Sequence, residues 1–315
     1  MEKYKFSILI PAYKKRYLKE AIESCLNQTY SNFEIIVIND ASPENLDEVV
    51  ADFSDNRIKY YRNEINCGAI DVVDNWNKCL GYSTGDYVLC MGDDDRLLPD
   101  CLKEYFALIC KYPGLGLYHG WTELIDQNSD FYDIQPPRPE YEDVFSLIWN
   151  RWNNRELQFI GDFLFDADLL KKNNGFYYLP LAWGSDDISA VIAASKSGVA
   201  NTQKIVFQYR VNPYTITNSG NYDVKVDAIL RERKWYIRFL SNSSPKTEIE
   251  NKYLLVIQRN IVKHFEKKIG LYMGLGLKKS LKWFITFFFE RKKYELSLNV
   301  FGYALLVGIK SKRKL

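Results

Sequence analysis

Residues 87–95 read Tyr-Val-Leu-Cys-Met-Gly-Asp-Asp-Asp, an apolar run followed by three consecutive carboxylates. A short apolar run of this kind predicts a buried strand, so the carboxylates lie where that strand leaves its sheet. Open α/β sheets bind ligands outside the carboxyl ends of their strands, and crowded carboxylates need a cation or hydrogen-bond donors. The stretch therefore indicates a divalent metal that holds an anionic ligand, most simply a diphosphate. A solvated acidic turn is the commoner explanation of the motif when it is taken alone.

Strands and helices alternate from the N-terminus up to this stretch. Four apolar runs predict strands, and amphipathic segments with apolar residues three and four positions apart predict the helices between them. The predicted strands cover residues 6–10, 34–38, 58–61 and 87–91. This βαβαβαβ order predicts an α/β fold with a mostly parallel sheet and helices on both faces. Asp40 follows the second strand, so we expect it at the same edge of the sheet as the acidic run.

Charge is divided unevenly along the chain. Residues 252–315 carry 15 Lys and Arg against 3 Asp and Glu, a net charge of +12, whereas the whole chain carries +2. A basic tail on an acidic body indicates an anionic partner, either a membrane surface or a nucleic acid. A nucleic acid is the poorer fit, because the body is acidic and no recognised nucleic-acid motif occurs, so we expect no nucleic-acid partner.

Two apolar stretches in the tail, residues 283–289 and 298–309, are shorter than the ~20 residues that a membrane-spanning helix needs. Their aromatic and basic residues predict either an interfacial amphipathic helix or a helical subdomain that packs on the body, and the two are compatible. The basic cluster at residues 310–314 fits anionic lipid headgroups. The sequence therefore predicts peripheral membrane contact.

Cysteine and histidine usage excludes several classes of site. All six cysteines precede residue 111 and none forms a Cys-x-x-Cys pair, which indicates buried free thiols in a reducing cytoplasm. The only histidines are His119 and His264, which argues against a His-rich metal site or a Ser-His-Asp triad. The N-terminus shows no signal-peptide pattern, and we expect a cytoplasmic protein.

Motifs spread over residues 5 to about 215 resemble those of the inverting nucleotide-sugar glycosyltransferases of family 2, which have the GT-A fold. Each motif is weak by itself, but their order and spacing together make the resemblance strong. They are, in chain order, Pro11-Ala12-Tyr13, Gln28-Thr29-Tyr30, Asn39-Asp40-Ala41-Ser42, Asn63 to Gly68, Asn75, Gly85-Asp86-Tyr87 before the acidic run, Asp186-Asp187, and Tyr209-Arg210-Val211.

The resemblance implies a GT-A domain over residues 1–220, with a nucleotide-sugar half of about 1–115 and an acceptor half of about 116–220. Residues 221–315 lie outside the resemblance, and their own pattern predicts a helical, basic and aromatic C-terminal extension that contacts the membrane. The implied enzyme is an inverting, metal-dependent glycosyltransferase of cell-surface polysaccharide synthesis. It would move a sugar from a nucleotide-sugar donor, most simply UDP-linked, to a hydroxyl of a saccharide or lipid-linked acceptor. A lipid-linked acceptor would place it at the inner face of the plasma membrane.

The resemblance also implies the donor site. Asp40 would accept a hydrogen bond from the imide N–H of uracil, with Pro11, Ala12 and Tyr13 forming the rest of the nucleoside wall. Helix N-capping is the alternative role for Asp40, and ordinary packing is the alternative for Tyr13. Arg210 would add a cation at the diphosphate, or form a surface salt bridge instead.

The acidic run corresponds to the metal-binding DXD motif of the family. Asp94 would bind Mn²⁺ or Mg²⁺, and Asp93 would contact the ribose or a water on the metal. Asp95 would cap the following helix or orient its neighbours. The family often has Asp at the position of Gly92, so the Asp-x-Asp spacing in this chain depends on a shifted alignment. Which of the three carboxylates coordinates the metal directly is left open.

The resemblance makes Asp187 the general base, which would take the proton of the acceptor hydroxyl, with Asp186 as the alternative. A helix N-terminus that favours negative charge is the alternative explanation of the pair, and the two are compatible. Lys14 and Asn39 depart from the family pattern. The Gln/Arg-x-x-Arg-Trp motif of processive synthases is missing, which favours addition of one sugar per event.

Acceptor choice is expected in residues 120–185, where Trp121, Trp149, Trp152 and Trp183 could stack on sugars or lie in the core. Two other functions are compatible with the sequence. A nucleotidyltransferase would also use a metal and phosphates, but its first loop is normally rich in glycine, and residues 11–16 contain none. A catalytically inactive, nucleotide-sugar-binding scaffold at the membrane is the other alternative.

Overall fold

The computed structural model describes residues 3–212, 221–277 and 280–312. These residues form two compact units. The first contains residues 3–178 and 185–212, and the second contains residues 179–184 together with the described residues from 221 onward. Two sequence-based predictions lie partly outside the described residues: the boundary at residues 220–221, and the last basic residues of the tail, Arg313 and Lys314.

The first unit is built on a single ten-stranded sheet. Its strands are β1 (Phe6–Ala12), β2 (Phe33–Asn39), β3 (Ile58–Arg62), β4 (Tyr87–Cys90), β5 (Arg96–Leu97), β6 (Leu117–Ile125), β7 (Phe131–Ile134), β8 (Tyr141–Glu142), β9 (Phe163–Asp166) and β10 (Val199–Arg210). The helices are α1 (Leu18–Leu26), α2 (Leu46–Ala51), α3 (Val72–Tyr82), α4 (Cys101–Lys111), α5 (Val144–Trp152), α6 (Ala167–Lys172) and α7 (Ser185–Ala194). The strand order is β3-β2-β1-β4-β9-β6-β10-β5, with β7 on β6 and β8 on β10.

The N-terminal half of the sheet confirms the predicted α/β pattern. β1 pairs in parallel with β2 and with β4, and β2 pairs in parallel with β3. Every residue of β2 is buried, as expected of a parallel strand covered on both faces, whereas β3 is only partly buried at the edge. The amphipathic helix α1 turns Leu18, Ile22 and Cys25 into the core. The carboxyl ends of β1, β2 and β4 therefore meet at one edge.

The C-terminal half of the sheet is mixed, which the sequence pattern does not reveal. β9 runs antiparallel to both of its neighbours, β4 and β6, whereas β6 and β10 pair in parallel. β9 has only four residues, and an apolar run of that length cannot be told from a buried helical segment by its periodicity.

The second unit is helical, which confirms the predicted C-terminal extension. It contains α8 (Tyr222–Asn242), α9 (Glu248–Gly276), α10 (Leu281–Phe289) and α11 (Leu298–Lys312), with a short 3₁₀ turn at Pro180–Ala182. α9 and α11 approach closely at Gly274, where a Cβ atom would lie 2.5 Å from the carbonyl oxygen of Ala304. Glycine is needed there because any side chain would force the two helices apart.

Within the described helices, no stretch is long and apolar enough to cross a membrane. All six cysteines are free thiols. Four of them are buried as expected, but Cys67 is only half-buried and Cys110 is exposed.

Candidate active site

The loop that follows β1 joins the ends of the two neighbouring strands. The N–H of Asp40, just after β2, donates to the carbonyl oxygen of Ala12 at 2.9 Å. Oδ2 of Asp93, just after β4, accepts the backbone N–H groups of Tyr13 at 2.6 Å and Lys14 at 2.7 Å. The predicted donor-site residues Asp40, Tyr13 and Asp93 are thus brought together at one edge of the sheet.

Asp40 is held in place by an asparagine network. Its Oδ1 accepts Nδ2 of Asn63 at 2.7 Å and the backbone N–H of Cys67 at 2.9 Å. Nδ2 of Asn63 also lies 3.1 Å from Oδ1 of Asn75. Asn45, and not Asp40, is the N-cap of α2, so the capping alternative for Asp40 is wrong.

Pro11 and Tyr13 lie on either side of the last residue of β1. Pro11 is partly buried, and Tyr13 is 41% exposed, so ordinary core packing does not explain this aromatic side chain. The backbone of Tyr13 is fixed, because its carbonyl oxygen accepts the hydroxyl of Ser42 at 2.6 Å. The exposed ring therefore stands on a rigid loop beside Asp93.

The three carboxylates of the acidic turn have different surroundings. Asp93 and Asp94 are partly exposed, whereas Asp95 is buried and its Oδ1 accepts the backbone N–H of Arg210 at 2.9 Å. Asp95 thus orients its neighbours, and Asp100 stands at the N-cap position of α4. A Cβ atom on Gly92, where the family often has aspartate, would lie 2.9 Å from Oδ1 of Asp94, so a side chain there would displace the Asp94 carboxylate.

Crowding and burial make the ionised forms of these carboxylates costly. Burial and the adjacent Asp94 raise the pKa of Asp93 to about 6, although the N–H groups of Lys14 and Tyr13 oppose the shift. Burial raises the pKa of Asp94 as well, against the charges of Lys14 and Arg210. The pKa of Asp95 lies well above its ordinary value for the same two reasons, burial and Asp94. A cation at this turn would relieve the repulsion.

Arg210 lies beneath the acidic turn and is 1% exposed, so the alternative of a surface salt bridge is wrong. Its Nε donates to the carbonyl oxygen of Asp94 at 2.7 Å, and its Nη2 pairs with Glu20 at 2.8 Å. Its Nη1 reaches the carbonyl oxygen of Asp126 and the hydroxyl of Ser129. Protein acceptors already bind all three nitrogens of the Arg210 guanidinium. Contact between Arg210 and the diphosphate therefore stays a prediction.

The donor set of the acidic turn suits a hard divalent cation. Among residues 3–212, 221–277 and 280–312, no three His, Cys, Asp or Glu side chains form a ready-made metal cluster. Mg²⁺-type ions, however, are commonly held by one or two carboxylates and the phosphates of the substrate. The partly exposed Asp93 and Asp94, with their raised pKa values, fit a site that the diphosphate would complete.

Asp186 and Asp187 occupy the first turn of α7, where the helix dipole favours negative charge. Oδ1 of Asp186 accepts the backbone N–H of Asp187 at 2.9 Å. Asp187 is 6% exposed, and its Oδ1 accepts Nε of Arg151, in the last turn of α5, at 2.8 Å. Both explanations of the pair, a catalytic carboxylate and a favourable helix start, are compatible with this placement.

Several residues that contribute to the site were given no role in it from the sequence: Lys14, Tyr17, Asn63, Asn75, Arg151 and Asn212. Asn63 and Asn75 lie in segments that match the family, which was the available signal, whereas Asn212, whose side chain hydrogen-bonds to Asp94, follows the last matched motif. Arg151 lies in no recognised motif, and only the tertiary structure brings it to Asp187.

The four tryptophans expected in acceptor binding are not equivalent. Nε1 of Trp121 donates to the carbonyl oxygen of Gln135, and Trp149 and Trp152 are partly buried on α5. Trp183 belongs to the second unit, where its ring meets Tyr272 and the ammonium of Lys225.

Known structures share this fold. The crystal structure of S. aureus TarS 1–349 in complex with UDP-GlcNAc superimposes with a TM-score of 0.56, over 87% of this chain and 87% of that chain. The sequence identity is 16%, so the similarity establishes the GT-A fold alone.

The chain has sequence relatives among glycosyltransferases. The chain is 32% identical over 130 residues to UDP-Glc:alpha-D-GlcNAc-diphosphoundecaprenol beta-1,3-glucosyltransferase WfgD of Escherichia coli. It is 36% identical over 104 residues to the putative colanic acid biosynthesis glycosyl transferase WcaA of E. coli K12. The matches cover 41% and 32% of this chain, and 50% and 36% of WfgD and WcaA.

The family model for glycosyl transferase family 2 matches residues 7–170, which is more than half of the chain. The matched region contains β1 to β4, Asp40 and the whole acidic turn. The chain therefore belongs to glycosyltransferase family 2.

Proposed function

We propose that this protein transfers a sugar from a UDP-sugar to a hydroxyl group of a saccharide or lipid-linked acceptor, with inversion at the anomeric carbon. The observation that carries the proposal is the pair of hydrogen bonds that join Asp40 to Ala12 and the Asp93 carboxylate to the N–H of Tyr13 at the carboxyl edge of the sheet. That edge is where open α/β sheets bind their ligands. WfgD, a relative, is named for a UDP-glucose donor and a lipid diphosphate acceptor, and TarS has been crystallised with UDP-GlcNAc.

Asp40 recognises the base of the donor nucleotide. A carboxylate only accepts hydrogen bonds, so it suits the imide N–H of uracil and not the unprotonated ring nitrogen of cytosine. Asn63 and the N–H of Cys67 fix the Asp40 carboxylate before any ligand arrives, which reduces the ordering cost of binding. Pro11, Ala12 and the exposed ring of Tyr13 form the wall beside the nucleoside.

Asp94 and Asp93 hold Mn²⁺ or Mg²⁺ together with the donor diphosphate. The ion, when bound, neutralises charge on the leaving UDP. The protein supplies the rest of the electrostatics from Lys14, next to the acidic turn, and from Arg210 beneath it. We assign Arg210 a supporting role, because its guanidinium already binds the main chain of Asp94.

Asp187 is the general base of the transfer. The acceptor O–H proton passes to the Asp187 carboxylate while the acceptor oxygen forms a bond to the anomeric carbon. The bond from that carbon to the diphosphate oxygen breaks, and its electron pair leaves with UDP. Asp186 binds the N–H of Asp187 and so supports the start of α7.

The second unit is a membrane-contact region. On α11 the outer face is apolar: Leu298, Leu305, Leu306 and Ile309 are each about half exposed. Leu281, Ile285 and Phe289 form a similar exposed strip along α10. Exposed lysines, including Lys282, Lys292 and Lys310, stand beside these strips and complement anionic headgroups. We therefore place the protein at the cytoplasmic face of the plasma membrane, where a lipid-linked acceptor is accessible.

Calorimetry with UDP, with and without Mn²⁺, tests the donor site. The natural chain is expected to bind UDP in a Mn²⁺-dependent manner, and Asp94→Ala is expected to lose that binding. Asp168→Ala, which removes an exposed carboxylate from the first turn of α6, is the matched control and should bind normally. UDP binding without release of UDP from any donor would favour the inactive scaffold, and no UDP binding with any metal would overturn the proposal.

A further inference from the structure

Arg151 and Asp187 join two helices at their electrostatically matched ends. Arg151 lies in the last turn of α5, where a cation is favourable, and Asp187 lies in the first turn of α7, where an anion is favourable. Nε of Arg151 donates to Oδ1 of Asp187 at 2.8 Å. Both helices belong to the first unit.

The two partners differ in burial. The Asp187 side chain is 8% exposed, whereas the Arg151 side chain is 27% exposed. A buried carboxylate is costly unless a donor pairs with it, and Arg151 supplies that donor to Asp187. A hydrogen bond from Nε also fixes the rotation of the carboxylate, because the planar guanidinium has a defined donor direction.

Helix α5 provides a rigid support for Arg151. Asp143 caps the helix: its Oδ1 accepts the N–H groups of Phe145 at 2.8 Å and Ser146 at 3.0 Å. Four of the five residues from Val144 to Ile148 are less than 6% exposed, so the helix is anchored along its inner face. The guanidinium therefore extends from a fixed base toward α7.

We propose that Arg151 is the positioning residue for Asp187, holding its carboxylate in the orientation from which it removes the acceptor proton. This inference rests on the proposed function, in which Asp187 is the general base. A carboxylate has about four acceptor positions, so one hydrogen bond from Arg151 does not use up its capacity to receive a proton. Positioning matters because a misplacement of about 1 Å can lower a rate on the order of a hundredfold.

Substitution of Arg151 separates this role from donor binding. Arg151→Met keeps an unbranched side chain but removes the charge and the donor, and Arg151→Lys keeps the charge without the planar donor. UDP release from UDP-glucose and UDP-GlcNAc with Mn²⁺ is measured, with water as the acceptor. We expect Arg151→Met to lower kcat about 10- to 100-fold, with KM for the donor and UDP affinity unchanged. Arg151→Lys should recover part of the loss, and Arg155→Met, at an exposed neighbour, should match the natural chain.

A double-substitution cycle distinguishes positioning from a general structural effect. If Arg151 acts through Asp187, Arg151→Met causes no further loss in an Asp187→Asn background. An equal loss in both backgrounds, an unchanged kcat in Arg151→Met, or a loss of UDP affinity that accounts for the effect would overturn the inference. Absence of UDP release from the natural chain with every donor would overturn the proposed function itself, and that result is visible before any substitution is made.

Discussion

Arg210 donates its Nε–H to the main-chain oxygen of Asp94 at 2.7 Å, so the last residue of β10 holds the acidic turn that follows β4. The backbone N–H of Arg210 also binds Asp95. Tyr17 stacks on the guanidinium, with its ring centroid 4.0 Å from the central carbon, and Glu20 on α1 supplies the counter-charge. The buried guanidinium of Arg210 therefore fixes the turn that carries the proposed metal ligands.

Removal of this cation should destabilise the protein. Arg210→Met takes a charged donor from Glu20 and from the carbonyl oxygen of Asp94, and loss of such hydrogen bonds costs about 1.5–3 kcal/mol. The cost is moderated because Glu20 is a third exposed and keeps its ion pair with Arg96. Urea denaturation should show this loss in the free energy of unfolding. Arg62→Met is the control: it removes an arginine whose ion pair with Asp47 is half exposed, and we expect a change of about 0–1 kcal/mol.

The Arg210→Met variant also distinguishes a positioning role of Arg210 from direct contact between Arg210 and the diphosphate. If Arg210 acts by holding the turn, its loss weakens Mn²⁺-dependent UDP binding together with stability. Unchanged stability with abolished UDP binding would contradict this and favour a direct contact with phosphate.

Asp40 should determine the choice of nucleobase. In Asp40→Asn the amide can also donate a hydrogen bond, so the variant can pair with the ring nitrogen of cytosine. Calorimetry with UDP and CDP should show a clear preference for UDP in the natural chain and a smaller one in the variant. An unchanged ratio of the UDP and CDP affinities would mean that the nucleobase does not bind at Asp40.

Asn63 should matter indirectly through Asp40. Asn63→Ala removes one of the two donors to Oδ1 of Asp40, and loss of a hydrogen bond to a charged group corresponds to about tenfold in UDP affinity. Asn173→Ala, at the exposed C-cap of α6, removes an asparagine away from the site and should leave UDP affinity unchanged. Equal affinities in the two variants would mean that the network does not organise the nucleotide site.

The parts of the site predicted from sequence are those that depend on local pattern. The apolar runs of β1, β2 and β4 fix where each strand ends, and parallel pairing brings those ends to one edge. That reasoning is sufficient to bring Asp40 and Asp93 together.

The remaining parts depend on how distant segments pack. Arg151 and Asp187 are brought together by helix packing, and the partners of Arg210 come from α1, from the acidic turn and from the loop after β6. β9 pairs antiparallel in the middle of the sheet, although its four residues carry no signal of direction. Such contacts are set by burial and charge pairing between segments, and no periodicity within a segment encodes them.

Glu34 on β2 should make stability depend on pH. Its buried carboxylate accepts Nζ of Lys59 at 2.6 Å and Nζ of Lys5 at 2.9 Å. Burial alone would raise the pKa of Glu34, but hydrogen bonds from Lys59, Lys5, Ser7 and the backbone of Thr84 outweigh it and lower the pKa to about 2. Because the folded-state pKa is depressed, this contribution to stability is complete above the unfolded value of 4.5 and is lost as pH falls toward 2.

Glu34→Gln should therefore lower the free energy of unfolding by about 2 kcal/mol at pH 7, a figure reduced because both lysines are partly exposed. The difference from the natural chain should shrink as pH falls below 4.5, measured by urea denaturation between pH 7 and pH 3. Glu48→Gln, at an exposed ion pair with Lys15, should change the free energy by less than about 0.5 kcal/mol. A pH-independent difference for Glu34→Gln would show that its hydrogen bonds, and not its charge, stabilise β2.

The apolar outer face of α11 should bind anionic membranes. Leu305 and Leu306 are 47% and 59% exposed, so Leu305→Glu with Leu306→Glu removes apolar area and adds negative charge without opening the core. Flotation with vesicles of equimolar phosphatidylglycerol and phosphatidylcholine should recover the natural chain and lose the double variant. Ile249→Glu, at an exposed residue in the first turn of α9, should float as the natural chain does.

The lipid and salt dependence of flotation distinguishes the forces involved. Charge attraction to headgroups is screened by salt, whereas insertion of leucine side chains is not, so added salt should weaken binding of the natural chain without abolishing it. Vesicles of phosphatidylcholine alone should bind less, because they lack the negative surface potential that attracts the lysines beside the apolar strips. Equal flotation of all three proteins would mean that another surface of the chain binds the vesicles, and no flotation of the natural chain would contradict membrane contact.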